Sequence, residues 1–130
     1  MNPELDAARC DFCMAGNPAE IYMVVTKPFA LGTDAPGTPV IVSTGEWAAC
    51  GDCLQDLERE RFAAIFARWY TRVGIRIGAP VTTLRRATIT VWRRAWEQRT
   101  ATRPATYEDR LTMIANLDKF RRDTPDRNLP

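Results

Sequence analysis

The chain has 130 residues, 45% apolar and 26% charged, with a net charge of +2 and no histidine. Those values fit one globular domain long enough to bury a core. They exclude histidine acid–base chemistry and histidine-ligated metal, and the longest apolar run, Phe62 to Ala67, is far short of the ~20 residues that span a membrane.

Residues 1–9 read as a short leader. Glu4 and Asp6 stand where a secretory signal would carry basic residues, which points to a cytoplasmic protein with reduced cysteines. Cys10-Asp11-Phe12-Cys13 opens a tight knuckle that Gly16 and Asn17-Pro18 continue. Residues 20–26 and 39–44 are rich in β-formers and predict an antiparallel hairpin. The connection between them, residues 27–38, exceeds an ordinary hairpin loop, a length that suits a mobile or functional segment.

From the second pair, Cys50-Gly51-Asp52-Cys53, one long helix is expected to run until just before Gly74. Leu54, Leu57, Phe62, Ile65, Phe66 and Trp69 recur on one side at helical period. Glu58 and Arg61 interrupt that stripe; either they pair with each other at i,i+3 or Glu58 answers an arginine of the basic half. Residues 73–80 form a connector with two glycines and a proline. Thr82 or Thr83 then caps a helix over about residues 82–100. Its inward face is Leu84, Thr88, Val91, Trp92 and Ala95; Arg86, Arg93, Arg94 and Glu97 lie opposite, although residues 87–92 also alternate like a strand. After Arg103-Pro104, Thr106 and Asp109 stand in the places of a capping box. The last helix they open has the stripe Tyr107, Leu111, Ile114, Leu117 and Phe120. The expected division is a single domain over residues 1–130: residues 8–70 with the cysteines and hairpin, residues 82–122 helical, and a polar tail over 123–130.

The two Cys-x-x-Cys pairs use every cysteine. Four thiolates at these spacings can close a tetrahedral shell around one zinc ion. Cys10, Cys13, Cys50 and Cys53 are therefore the expected ligands. A rubredoxin-like iron site uses the same four sulfurs. A thioredoxin-like redox role for Cys50 and Cys53 is the main enzymatic alternative. Placing the second pair at a helix N-terminus has a reason: free N–H groups and the helix dipole stabilise thiolate charge, and Gly51 lets the backbone turn tightly there.

The order knuckle, hairpin, knuckle, helix resembles the treble-clef class of zinc fingers over roughly residues 8–70. The 36 residues between Cys13 and Cys50 exceed the usual spacing, and the long loop absorbs the excess. The resemblance implies an α+β fold: a zinc-bound treble-clef-like knuckle and β-hairpin followed by about three packed helices. One structural zinc is the implied cofactor. Losing it through Cys50→Ser is expected to damage the N-terminal half more than the later helices.

Charge is segregated. Residues 1–58 carry nine acids against Arg9 and Lys27, while residues 59–103 carry eleven arginines against Glu60 and Glu97. Such a basic half either docks on the acidic half or contacts a partner. Arg86, Arg93 and Arg94 are the candidate partner-binding residues. Trp92 and Trp96 interleave with them and offer stacking platforms for bases, although Trp92 also lies on the apolar stripe of a core residue. The function expected is a non-enzymatic, zinc-stabilised binding or regulatory module contacting nucleic acid or a nucleoprotein. The alternative is a protein–protein adaptor or inhibitor with an acidic protein partner. No contact with a membrane is expected.

Overall fold

A computed structural model describes residues 8–31, 41–43 and 45–123; the side chains of Leu31, Ile41, Val42 and residues 116–123 fall outside that description. The leader before Ala8, the loop over 32–40, the polar tail after Asp123 and the stripe positions Leu117 and Phe120 lie outside the described residues or side chains.

The architecture is mixed α+β. Strand β1 (Ile21–Thr26) is the centre of a three-stranded antiparallel sheet, between β4 (Glu46–Cys50) and β5 (Arg99–Pro104). Ile21 faces Cys50 and Val25 faces Glu46 on one side, and Tyr22 faces Pro104 on the other. Strands β2 (Phe29–Leu31) and β3 (Ile41–Ser43) pair separately. The described helices are four: α1 (Gly51–Glu58), α2 (Phe62–Arg72), α3 (Val81–Glu97) and α4 (Tyr107–Asp123).

Several expectations change. The partner of residues 21–26 is β4, not residues 39–44, whose described part pairs with β2 inside the long connection. Burial explains the choice: β4 brings Ala48, Ala49 and Cys50 to the core, all nearly inaccessible. The single long helix after Cys53 is two helices, so the helices number four rather than three. The chain turns at Arg59–Arg61, with Glu60 in the left-handed region at φ 55°, and Arg61 N–H bonds to the Asp56 carbonyl. Arg61 pairs with Asp56 at 3.0 Å, not with Glu58. Neither Thr82 nor Thr83 caps α3, which begins after Pro80 without a side-chain cap. The helix stops at Glu97 rather than near residue 100, and residues 99–104 form a strand. The last helix does begin as expected: Asp109 N–H bonds to Thr106 Oγ1 at 3.1 Å, and Thr106 N–H bonds to Asp109 Oδ2 at 2.7 Å.

Alternation along β1 splits the core between the two faces of the sheet. Ile21 and Met23 join Ala8 and Ala48 in a small cluster, against which Ala105 and Met113 pack. Val24 and Ala49 join the main cluster, which holds all four cysteines with Phe12, Leu57, Phe62, Ile65, Phe66, Trp92 and Trp96. The cysteines thus sit inside the core shared by the sheet, α1, α2 and α3. Among the described residues no helix is long and apolar enough to cross a membrane.

Candidate metal centre

The first knuckle is shaped by backbone bonds. Cys10 N–H donates to the Ala15 carbonyl and Met14 N–H to the Cys10 carbonyl, with Met14 at φ 65°. It is pinned to β4 twice: Asp11 N–H donates to the Ala48 carbonyl, and Ala48 N–H to Asp11 Oδ2, both at 2.7 Å. One side of Asp11 stays open to solvent, but protein crowds its carboxylate; burial pushes its pKa up to about 6, against the pull of the Ala48 amide. Phe12, between the two cysteines, is fully buried against Trp47 and Trp92, with ring centroids at 5.4 and 6.3 Å. That residue ties the knuckle to α3.

The second pair arrives at the junction of β4 and α1. Cys50 is the N-cap residue, and Cys53 lies in the first turn. A Cβ on Gly51 would stand 3.0 Å from Glu20 Oε2, so the glycine admits the carboxylate of the residue before β1. This close approach stands beside the tight turn expected of Gly51.

All four sulfurs lie within 4.8 Å of one another and all four residues are buried. Cys13 Sγ and Cys50 Sγ are 3.7 Å apart. A tetrahedron of 2.3 Å metal–sulfur bonds has edges of about 3.8 Å. The residues present therefore fit a single tetrahedral ion. Cys10 Sγ also accepts N–H groups from Phe12, Cys13 and Cys50 at 3.3–3.5 Å, the kind of support that thiolate charge requires. The crowded sulfurs also pull one another's proton affinities apart. Cys53 is pushed far up by Cys10, Cys13 and Cys50 and by burial, and Cys10 is also raised, chiefly by Cys13. Cys13 is driven down by hydrogen bonds from Cys10, Cys50 and Cys53. Cys50 is lowered to about 7, with the Cys10 hydrogen bond the largest cause. Such a set ionises fully only when a cation replaces the shared protons.

Two arginines of α2 complete the centre, and sequence reasoning missed both. Arg68 Nη2 donates to Cys53 Sγ at 3.2 Å while its Nη1 pairs with the buried Asp56 at 2.8 Å. Arg72 Nη1 donates to the Cys13 carbonyl at 3.3 Å. Their i,i+4 spacing was visible; their direction was not, because it depends on the turn between α1 and α2. Both line a cavity of about 260 Å³ at the edge of the cysteines, with Glu20 and Asp52 on its rim.

The arginine candidates lie elsewhere. Arg86, Arg93 and Arg94 are all exposed on α3, and Trp92 and Trp96 are buried. Arg86 and Arg93 line a shallow groove of about 320 Å³ with Arg85, which was not among the candidates; Arg94 does not. The Arg93 guanidinium covers the Phe62 ring at 5.1 Å, so part of its role is packing.

Four cysteines, two from the first knuckle, one from the end of β4 and one from the first turn of α1, converge on a possible metal site, which suggests a structural centre rather than a catalytic pair. Comparison with protein-family models, with curated proteins and with solved structures finds no match to this chain.

Proposed function

We propose that the chain is a zinc-stabilised binding module without catalytic function. Cys10, Cys13, Cys50 and Cys53 hold one structural zinc in a treble-clef-like arrangement, and the arginines of α3 contact an anionic partner. The observation that carries this reading is the convergence of all four cysteines into one buried cluster at the centre of the core. A centre saturated by four thiolates keeps no position for water or substrate. Zinc suits four thiolates in a reducing compartment, with iron as the competing ion.

Two partner classes suit guanidinium chemistry: the phosphates of nucleic acid or a nucleoprotein, and the carboxylates of an acidic protein. Burial of Trp92 and Trp96 leaves no stacking platform for bases there, which favours the protein class. Metal analysis should give one zinc per chain. Recovery of a folded, metal-free protein in which Cys50 and Cys53 cycle reversibly as a dithiol would refute the structural role. Charge reversal by Arg86→Glu with Arg94→Glu should abolish binding to the anionic partner; unchanged binding returns these arginines to an ordinary solvated face.

A further inference from the structure

Three of the four large hydrophobic side chains exposed among the described residues fall within seven positions. Ile75, Ile77 and Val81 are 59%, 53% and 46% exposed. On the connection between α2 and α3, a 3₁₀ turn at Gly74–Arg76 carries Ile75, and Ile77 caps its end. That turn is fixed to the core: a Cβ on the buried Gly74 would stand 2.5 Å from the Trp69 ring and 2.9 Å from that of Tyr70. Val81 starts α3, with Arg85 and Ile89 following at i+4 and i+8, along one side of the helix. Arg85, Arg86 and Ile89 line the groove described above.

The same stretch is uniformly basic. No acidic residue occurs between Glu60 and Glu97, and no lysine between Lys27 and Lys119. Arg76, Arg85 and Arg86 have no side-chain ion-pair partner among the described residues. A phosphate backbone would satisfy these guanidinium groups but would leave two isoleucines and a valine wet. An acidic amphipathic segment satisfies both. Its aliphatic residues cover Ile75, Ile77 and Val81, and its carboxylates take the arginines bidentately. Arginine beside exposed apolar side chains suits a protein interface, where arginine is enriched.

We propose that the α2–α3 connection and the first half of α3 dock an acidic amphipathic protein segment, with Ile75, Ile77 and Val81 receiving its apolar face and Arg76, Arg85 and Arg86 its carboxylates. The proposal rests on the reading of α3 as a partner surface. It narrows that reading to one partner class and moves its centre from Arg93 and Arg94 to the beginning of the helix.

The test uses the zinc-loaded full chain and fluorescence anisotropy. One probe is a synthetic peptide of about five helical turns with leucine on one face and glutamate elsewhere. A second replaces the leucines by serine at equal charge, and a third is duplex or single-stranded DNA of similar length. The leucine peptide should bind roughly tenfold more tightly than the serine peptide. Joint replacement Ile75→Ser, Ile77→Ser and Val81→Ser should erase that difference and leave the weaker, charge-driven binding in place. Arg85→Glu with Arg86→Glu should abolish both. The replaced side chains are exposed, and unchanged metal content and circular dichroism confirm the fold. Equal affinity for the two peptides overturns the proposal. DNA binding that exceeds both and ignores the serine replacements also overturns it, while leaving the anionic-surface reading standing. Failure of every probe sinks both. Self-association in sedimentation, lost with the serine replacements, assigns the patch to a second copy of the chain and overturns the acidic-segment occupant.

Discussion

Arg68 donates to Cys53 Sγ with one amino group and to Asp56 with the other. Four thiolates around the proposed divalent cation would carry a net charge of −2, and among the described residues this guanidinium is the positive group that donates to a sulfur. Asp56, 6% exposed, fixes its direction and is itself held by Arg61. Groups that orient metal ligands typically change metal affinity by about 10–100-fold when removed. Arg68→Met should therefore lower zinc affinity by roughly tenfold or more in chelator competition, with the protein still folded when zinc is in excess. Arg68→Lys should restore only part of the loss, because an ammonium lacks the fork that reaches sulfur and carboxylate together. Affinity unchanged in Arg68→Met would confine Arg68 to the Asp56 pair. The convergence of the four cysteines was legible because two Cys-x-x-Cys pairs are written in spacing. Arg68 was not: its partner is fifteen residues away, and no local pattern marks a guanidinium as aimed at sulfur.

At the scale of elements, helices with caps or clear stripes were readable, and irregular backbone was not. The residues 58–62, Glu-Arg-Glu-Arg-Phe, contain neither glycine nor proline, yet the helix breaks there. What breaks it is tertiary: Asp56 takes both Arg61 and Arg68, an arrangement that a continuous helix would not provide. Strand β5 escaped notice because Arg99–Pro104 alternates no hydrophobic residues; it is an exposed edge strand whose pairing with β1 supplies the order. By contrast, Thr106 and Asp109 announced α4 from the sequence. Arg103 holds the Asp109 carboxyl well below the usual carboxylate range, and the Thr106 amide adds to this. An acid with a depressed folded pKa contributes stability above its unfolded value, near 3.9, and loses it as pH falls through the folded value. Asp109→Asn should thus cost roughly 0.5–1 kcal/mol at neutral pH, a modest figure because solvent screens the site. In urea unfolding, the gap between the two proteins should stay constant from neutral pH to about 5 and close progressively below about 4. A gap that persists undiminished under acid would mean that Asp109 acts only as a neutral cap.

At the scale of the whole molecule, the proposed metal centre lies inside a core shared by the sheet and three helices. The segregated charges do not simply close on one another: Asp56 takes Arg61 and Arg68, and Glu46 reaches Arg103 at 3.9 Å, but Arg76, Arg85, Arg86 and Arg94 remain without ion pairs among the described residues. Packing does the joining. Phe12 carries the first knuckle onto Trp92, Trp69 meets Trp92 edge to face at 6.2 Å, and the four cysteines share one buried cluster with Ile65, Phe66 and Trp96. The sequence suggested that losing the metal would harm the N-terminal half most, since the ligands all precede residue 54. A continuous core argues otherwise. A structural zinc site contributes about 10–16 kcal/mol of apparent binding free energy, comparable with the whole stability of a domain, about 5–15 kcal/mol. Metal removal also leaves four crowded, buried sulfurs in the core with no cation to hold them together. Chelation, or Cys50→Ser, should therefore remove hydrogen-exchange protection from β1, β4, α2 and α3 in one step, and tryptophan emission should shift to the red in the same transition. Continued protection of α2 and α3 in metal-free protein, with loss confined to residues 8–26 and 46–58, would show instead that the helices fold on their own and that the metal staples only the knuckles and hairpin.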